Sequence, residues 1–138
     1  MTSAPRVLNL TPHAVHVFYP SGAIVTISSS GELRLRARAQ SSVPISPLHY
    51  VDVAANEEAG IPLIEAQVFT GLDTSSPGYA LLADLKGGDA VIVSMPVAHY
   101  LVTLKPAYRV LSPGTGSATV VRDQEGKIQG VRALEIHA

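Results

Sequence analysis

Leu33-Arg34-Leu35-Arg36-Ala37-Arg38-Ala39 alternates apolar and basic residues at every step. A period of two is the signature of a strand with one face buried, so Leu33, Leu35 and Ala37 are expected inward and the three arginines outward. The runs upstream have the same character. Arg6 to Leu10, Ala14 to Tyr19 and Ala23 to Ser28 are short and apolar-rich, and they are separated by Thr11-Pro12, Pro20-Ser21-Gly22 and Ser29-Ser30-Gly31. Proline and glycine are the residues that fix tight turns, so this half reads as an antiparallel meander.

Downstream the pattern is less regular. Gln40 to Pro47 holds two prolines and three serines and is expected to be a loop or an irregular edge. Leu48 to Val53 resumes a strand, Ala55 to Gly60 forms a polar turn, and Ile61 to Thr70 is strand-like again. After a loop through Gly71 and Ser75 to Gly78, Tyr79 to Leu85 suits one or two helical turns. Ala90 to Ser94, rich in β-branched residues after Gly87-Gly88-Asp89, reads as a buried strand. Pro96 to Leu104 follows as a short helix with Val97, Leu101 and Leu104 on one face, stopped by Lys105-Pro106. Tyr108 to Leu111, Ala118 to Arg122 and Lys127 to His137 complete the set, the last two joined through the turn Asp123 to Gly126. The fold expected is mainly β: a small barrel or bent antiparallel sheet of about seven to nine strands with one short helix near 96–104, in a single domain over 1–138.

Composition narrows the functions. With 46% hydrophobic and 15% charged residues in 138 positions, the chain has ample apolar surface for a core and few charges to solvate the exterior. Self-association into a homo-oligomer is therefore expected. A net charge of -1 supplies no general attraction to nucleic acid or anionic lipid. The absence of cysteine removes disulfides, thiolate ligands and cysteine nucleophiles, and fits a cytoplasmic setting. Met1 to Arg6 lacks the apolar core of a secretory signal, and Ala90 to Leu104, the most apolar stretch, is broken by Ser94, Pro96 and His99, so no membrane segment is expected. No motif calls for a cofactor.

Several phrases stand in order along the chain: Leu8-Asn9-Leu10-Thr11-Pro12-His13-Ala14-Val15, Ser30-Gly31, Gly60-Ile61-Pro62-Leu63, Val91-Ile92-Val93-Ser94 with Val97-Ala98, and Val121-Arg122-Asp123-Gln124-Glu125-Gly126-Lys127-Ile128-Gln129-Gly130-Val131-Arg132-Ala133-Leu134. In them the sequence resembles a family of short, uncharacterised proteins found in bacteria and tailed phages. It departs from that family in longer stretches around Ser42 to Asn56 and His99 to Tyr108, and in Gly130-Val131 where similar sequences often have Gly-Cys. The resemblance implies a compact β-rich domain, brings no catalytic residue with it, and draws attention to His13, Ser94, Arg122 and Asp123.

Each candidate residue has a functional and a structural reading. His13 and His16 have the spacing of a metal pair, but on a strand residues three apart face opposite ways and no acid stands near, so no metal site is expected. Ser94, His99 and an aspartate hold the residue types of nucleophilic catalysis. The glycines of a nucleophile elbow are missing beside Ser94, whose structural reading is a helix cap. Arg34, Arg36 and Arg38 form a basic stripe able to meet phosphates, or else a solvated face paired with acids on the next strand. With five Tyr and two Phe, stacking surface for nucleic acid is scarce. Gly114-Thr115-Gly116 lacks the helix and the Lys-Ser/Thr of a phosphate loop and reads as a hairpin turn. Arg122-Asp123 reads as an ion pair or a turn contact. The leading function is a non-enzymatic binding or assembly protein that self-associates. The alternatives are a hydrolase or small-ligand enzyme with a cleft near His13, Ser94 and His99, and a phosphate or nucleic-acid binder using the arginine stripe.

Overall fold

The central strand is the apolar run that follows Gly87-Gly88-Asp89. In the computed structural model, which describes residues 4–38 and 43–138, it is β8 (Ala90–Ile92), and every one of its side chains is buried. Continuous rather than alternating hydrophobicity is what a strand needs when both faces are covered, and this strand has parallel neighbours on both sides. β1 (Val7–Asn9) pairs with it through Val7↔Ala90, and β9 (Arg109–Pro113) through Ala90↔Arg109. β12 (Leu134–His137) adds antiparallel to β9, giving the order β1-β8-β9-β12. Parallel neighbours cannot be joined by a tight turn. The link from β8 to β9 is the helix α1 (Met95–Thr103), within one residue of the expected span.

α1 lays Val97, Ala98 and Leu101 against one face of this sheet, where they meet Leu10, Leu33, Val91, Val93 and Val110. Leu104, expected on the same face, is the residue that caps the helix end and is half-exposed. The other face contributes Ile92, which packs with Val15, Val17 and Val131 of a second four-stranded sheet. That sheet has the order β10-β11-β2-β3, from β10 (Val120–Arg122), β11 (Ile128–Val131), β2 (Val15–Phe18) and β3 (Ile24–Ile27). The layers are thus helix, sheet, sheet. A 3₁₀ turn over Tyr79–Asp84 stands where one or two helical turns were expected.

These elements form one compact unit, Met1–Leu35 with Leu72–Ala138. The segment between, Arg36–Gly71, forms a second. It is built on a long hairpin of β5 (Ile45–Asp52) and β6 (Glu57–Leu63), antiparallel from Ile45↔Leu63 to Asp52↔Glu57. β4 (Leu35–Ala37) pairs with β7 (Phe69–Leu72) in a separate two-stranded sheet. The chain is mainly β, with 40% of residues in strands and 11% in helix. The sheets bend, and none closes into a barrel among the described residues. No helix among the described residues is long and apolar enough to cross a membrane.

Among the described residues twelve strands appear where seven to nine were expected. β5 begins at Ile45, inside the expected loop, and passes Pro47 by a register shift between Ile45 and Leu48, where a residue without an N–H can be accommodated. Its turn is tighter than Ala55 to Gly60. Asp52 Oδ1 accepts the amides of Ala54 and Ala55, and Asn56 takes the left-handed conformation at φ 54°. The last strand, read as Lys127 to His137, is two: the chain leaves β11 at Val131 and enters the other sheet as β12. Gly114-Thr115-Gly116 accordingly lies between strands of different sheets, not within a hairpin. The opening residues 1–3 and positions 39–42, which hold Ala39 and the first part of the Gln40–Pro47 stretch, lie outside the described residues.

Candidate functional site

The Thr11-Pro12-His13 turn is organised from below. Asn9 is fully buried, and its side-chain amide donates to the carbonyls of His13 at 2.8 Å and Ile27 at 2.9 Å. Its Oδ1 accepts the amide of Thr11 at 3.0 Å and lies 2.6 Å from the Thr11 hydroxyl. All the hydrogen-bonding capacity of a buried side chain is thereby used. His13 enters this network through its backbone carbonyl, and its ring is exposed. His16 Nδ1 lies 2.8 Å from Thr26 Oγ1 across the β2–β3 ladder. Both histidines border a groove with Pro113 and Ile128, and among the described residues no three His, Cys, Asp or Glu side chains are grouped to hold a metal ion.

Ser94 is the N-cap of α1, yet its hydroxyl makes no cap hydrogen bond. Pro96 removes one of the two usual donors. An N-cap oxygen reaches the second or third amide of the helix, and the second is Pro96, which has none. Only the Ser94 carbonyl is engaged, by the amide of Ala98 at 2.9 Å.

His99 stands one helical turn further on, and its ring meets that of His137 edge-to-face, centroids 5.6 Å apart. His137 Nε2 in turn lies 2.7 Å from Ser112 Oγ. Ser112 and His137 are diagonal neighbours across the β9–β12 ladder and point to the same face. This serine–histidine contact joins positions 25 apart on different strands, so nothing local in the sequence marks it. Ser112 is almost wholly buried, which leaves its hydroxyl no room to reach a substrate carbonyl. Among the described residues the sites named from sequence are thus not brought together: Ser94, His99 and His13 make separate contacts.

The arginine stripe faces outward as the alternation requires, with Leu33 buried and Leu35 and Ala37 half-buried. Arg34 Nε lies 3.6 Å from Asp73 Oδ2, and Arg38 pairs with Glu65. The hydroxyl and amide of Ser75 donate to Asp73 and, with Arg34, hold its carboxyl below the usual aspartate value. Asp89 is held low in the same sense, by the amides of Arg6 and Lys86 at 2.9 Å and then the Arg6 guanidinium. Tyr108, desolvated by burial, has its phenol pushed up. The contact expected of Arg122-Asp123 is a turn contact: Asp123 Oδ1 accepts the amides of Glu125 and Lys127 at 2.9 Å, while Arg122 Nη1 donates to the Gly126 carbonyl.

An exposed apolar surface lies on the β5–β6 hairpin. Its register puts Ile45, Leu48 and Tyr50 on one face with Leu63, Ile61 and Ala59. Ile45 and Leu48 are half-exposed, Ile61 is 40% exposed, and Val53 at the tip is 91% exposed. The signal is present in Ile45-Ser46-Pro47-Leu48 and Ile61-Pro62-Leu63-Ile64: Pro44 and Pro47 make the first read as a loop, while the second reads as strand-like, and nothing local says that the two pair. No protein-family model, curated protein or solved structure matches the chain.

Proposed function

We propose that this chain is a non-enzymatic assembly protein that self-associates through the β5–β6 hairpin. The supporting observation is the uncovered apolar face of that hairpin, Ile45, Leu48 and Ile61 foremost. A two-stranded ribbon is at best marginally stable in water on its own, because one face of two strands removes too little apolar surface from solvent. Both of its outer edges also carry backbone groups with no further strand to pair with among the described residues. A covering surface from another copy supplies what the ribbon lacks, and exposed apolar patches are the usual mark of such contacts. On this reading the chain works in the cytosol, and the phrases at its two ends support a likeness to short bacterial and phage proteins.

Light scattering over a wide concentration range tests the reading. The wild-type chain is expected to be oligomeric, and Leu48→Asp with Ile61→Asp to lower the mass to one chain while circular dichroism stays unchanged. A monomer at the highest concentrations reached overturns it.

A further inference from the structure

The hairpin has a charge problem at its tip. Asp52 stands directly opposite Glu57 in the ladder, and Glu58 follows. Like charges facing each other across strands destabilise a hairpin, and among the described residues no cation is paired with any of the three. Asp52 is partly relieved by the two turn amides its Oδ1 accepts, but among the described residues no hydrogen bond reaches the carboxylates of Glu57 and Glu58. The apolar face of the hairpin therefore ends in uncompensated negative charge.

The complementary surface lies in the other compact unit. Phe18, Tyr19, Pro20, Val121 and Arg132 line a groove of about 400 Å³. The Phe18 wall rests against Gly130: a Cβ there would lie 2.7 Å from the Phe18 ring, so only glycine lets the ring settle across β11. Arg132 is exposed, and its Nη1 donates to the carbonyls of Ala118 and Val120 at 3.4 and 3.2 Å. It has no carboxylate partner among the described residues, and a guanidinium keeps further N–H donors for one. Arg122 and Lys127 add positive charge on the same β10–β11 hairpin. The acids of its turn are Asp123, engaged with turn amides, and Glu125.

We infer that the groove of Phe18, Tyr19, Pro20, Val121 and Arg132 in one copy of this chain receives the acidic, apolar tip of the β5–β6 hairpin of another copy. This rests on the self-association reading and gives it a geometry. The apolar face of the hairpin covers the aromatic wall, and Glu57, which the register puts on that face, meets Arg132. The two surfaces are different, so the contact is head-to-tail and each copy keeps one free half for the next, as in a ring or a filament.

A charge exchange tests this. Arg132→Glu and the double variant Glu57→Lys with Glu58→Lys are each expected to weaken association by about tenfold or more. A 1:1 mixture of the two is expected to regain association by light scattering, since every contact between the two variants pairs opposite charges or retains its original ones. Tyr19→Glu, at a half-exposed position, repeats the groove test without touching the Arg132 bonds to Ala118 and Val120, and circular dichroism checks folding throughout. If the wild type is oligomeric and the single-surface variants remain so, or if the mixture fails to recover, this interface is overturned while self-association stands. A monomeric wild type overturns both.

Discussion

The side-chain amide of Asn9 lies 2.8 Å from the backbone carbonyl of His13 and ties the end of β1 to the start of the next strand from inside the protein. The conspicuous Leu8 to Val15 phrase thus owes its form to a buried asparagine rather than to the histidine it displays. Asn9→Ala leaves the carbonyls of His13 and Ile27 and the amide of Thr11 without their partner. It is expected to cost about 2–3 kcal/mol in urea unfolding, whereas His13→Ala is expected to change stability by less than about 0.5 kcal/mol.

Asp89 makes stability depend on acid. Its carboxyl is held below the usual value of 3.8 by the Arg6 and Lys86 amides, so the folded state favours the ionised form. The stabilisation is full above the unfolded-state pKa and is lost as the pH falls through the lower folded-state pKa. Asp73 contributes with the same sign. Thermal melts taken downward from about pH 5 are expected to show a falling midpoint, with a shallower fall in Asp89→Asn. Equal slopes for the two proteins would contradict the assignment.

Gly130 is an exacting position on geometric grounds alone. An added Cβ would lie 2.4 Å from the His16 carbonyl oxygen as well as against Phe18, and backbone cannot yield as a flexible side chain can. Gly130→Ala is expected to lose about 1–3 kcal/mol in chemical denaturation, the cost typical of overpacking.

The helix gives an internal comparison. Leu101 is fully buried and Leu104 is half-exposed. Leu101→Ala is expected to cost about 2–5 kcal/mol through the cavity it leaves, and Leu104→Ala less than about 1 kcal/mol. Similar losses at the two positions would mean that α1 packs by a different face.

Much of the fold was legible because the relevant signals are local. Alternation from Leu33 to Ala37 states which side is buried, unbroken apolarity at Ala90 to Ile92 states that both are, and Pro96 marks a helix start. Strand direction is not local. Nothing in Val7-Leu8-Asn9 says that its partner is Ala90 to Ile92, and consecutive short strands invite an antiparallel reading that β1, β8 and β9 do not follow. The break after Val131 was invisible for a related reason, since Leu134 and Ile136 continue an apolar run while changing sheets. Of the candidate site residues, the outward arginines and the Asp123 turn contact followed from local pattern. The His99–His137–Ser112 contacts did not, because they depend on how α1 lies on β9 and β12.

The pairing of β1 with β8 also orders events during synthesis. The amide of Arg6 finds its carboxylate acceptor in Asp89, 83 positions later. On a ribosome that makes about 5–20 residues each second, the first strand waits several seconds for the edge it needs. The β5–β6 hairpin is complete well before then, since its two strands follow one another directly. A polysome making this chain displays both hairpin strands beside unfinished cores, and neighbouring nascent chains offer one another the cover a lone ribbon lacks before either has closed its first sheet.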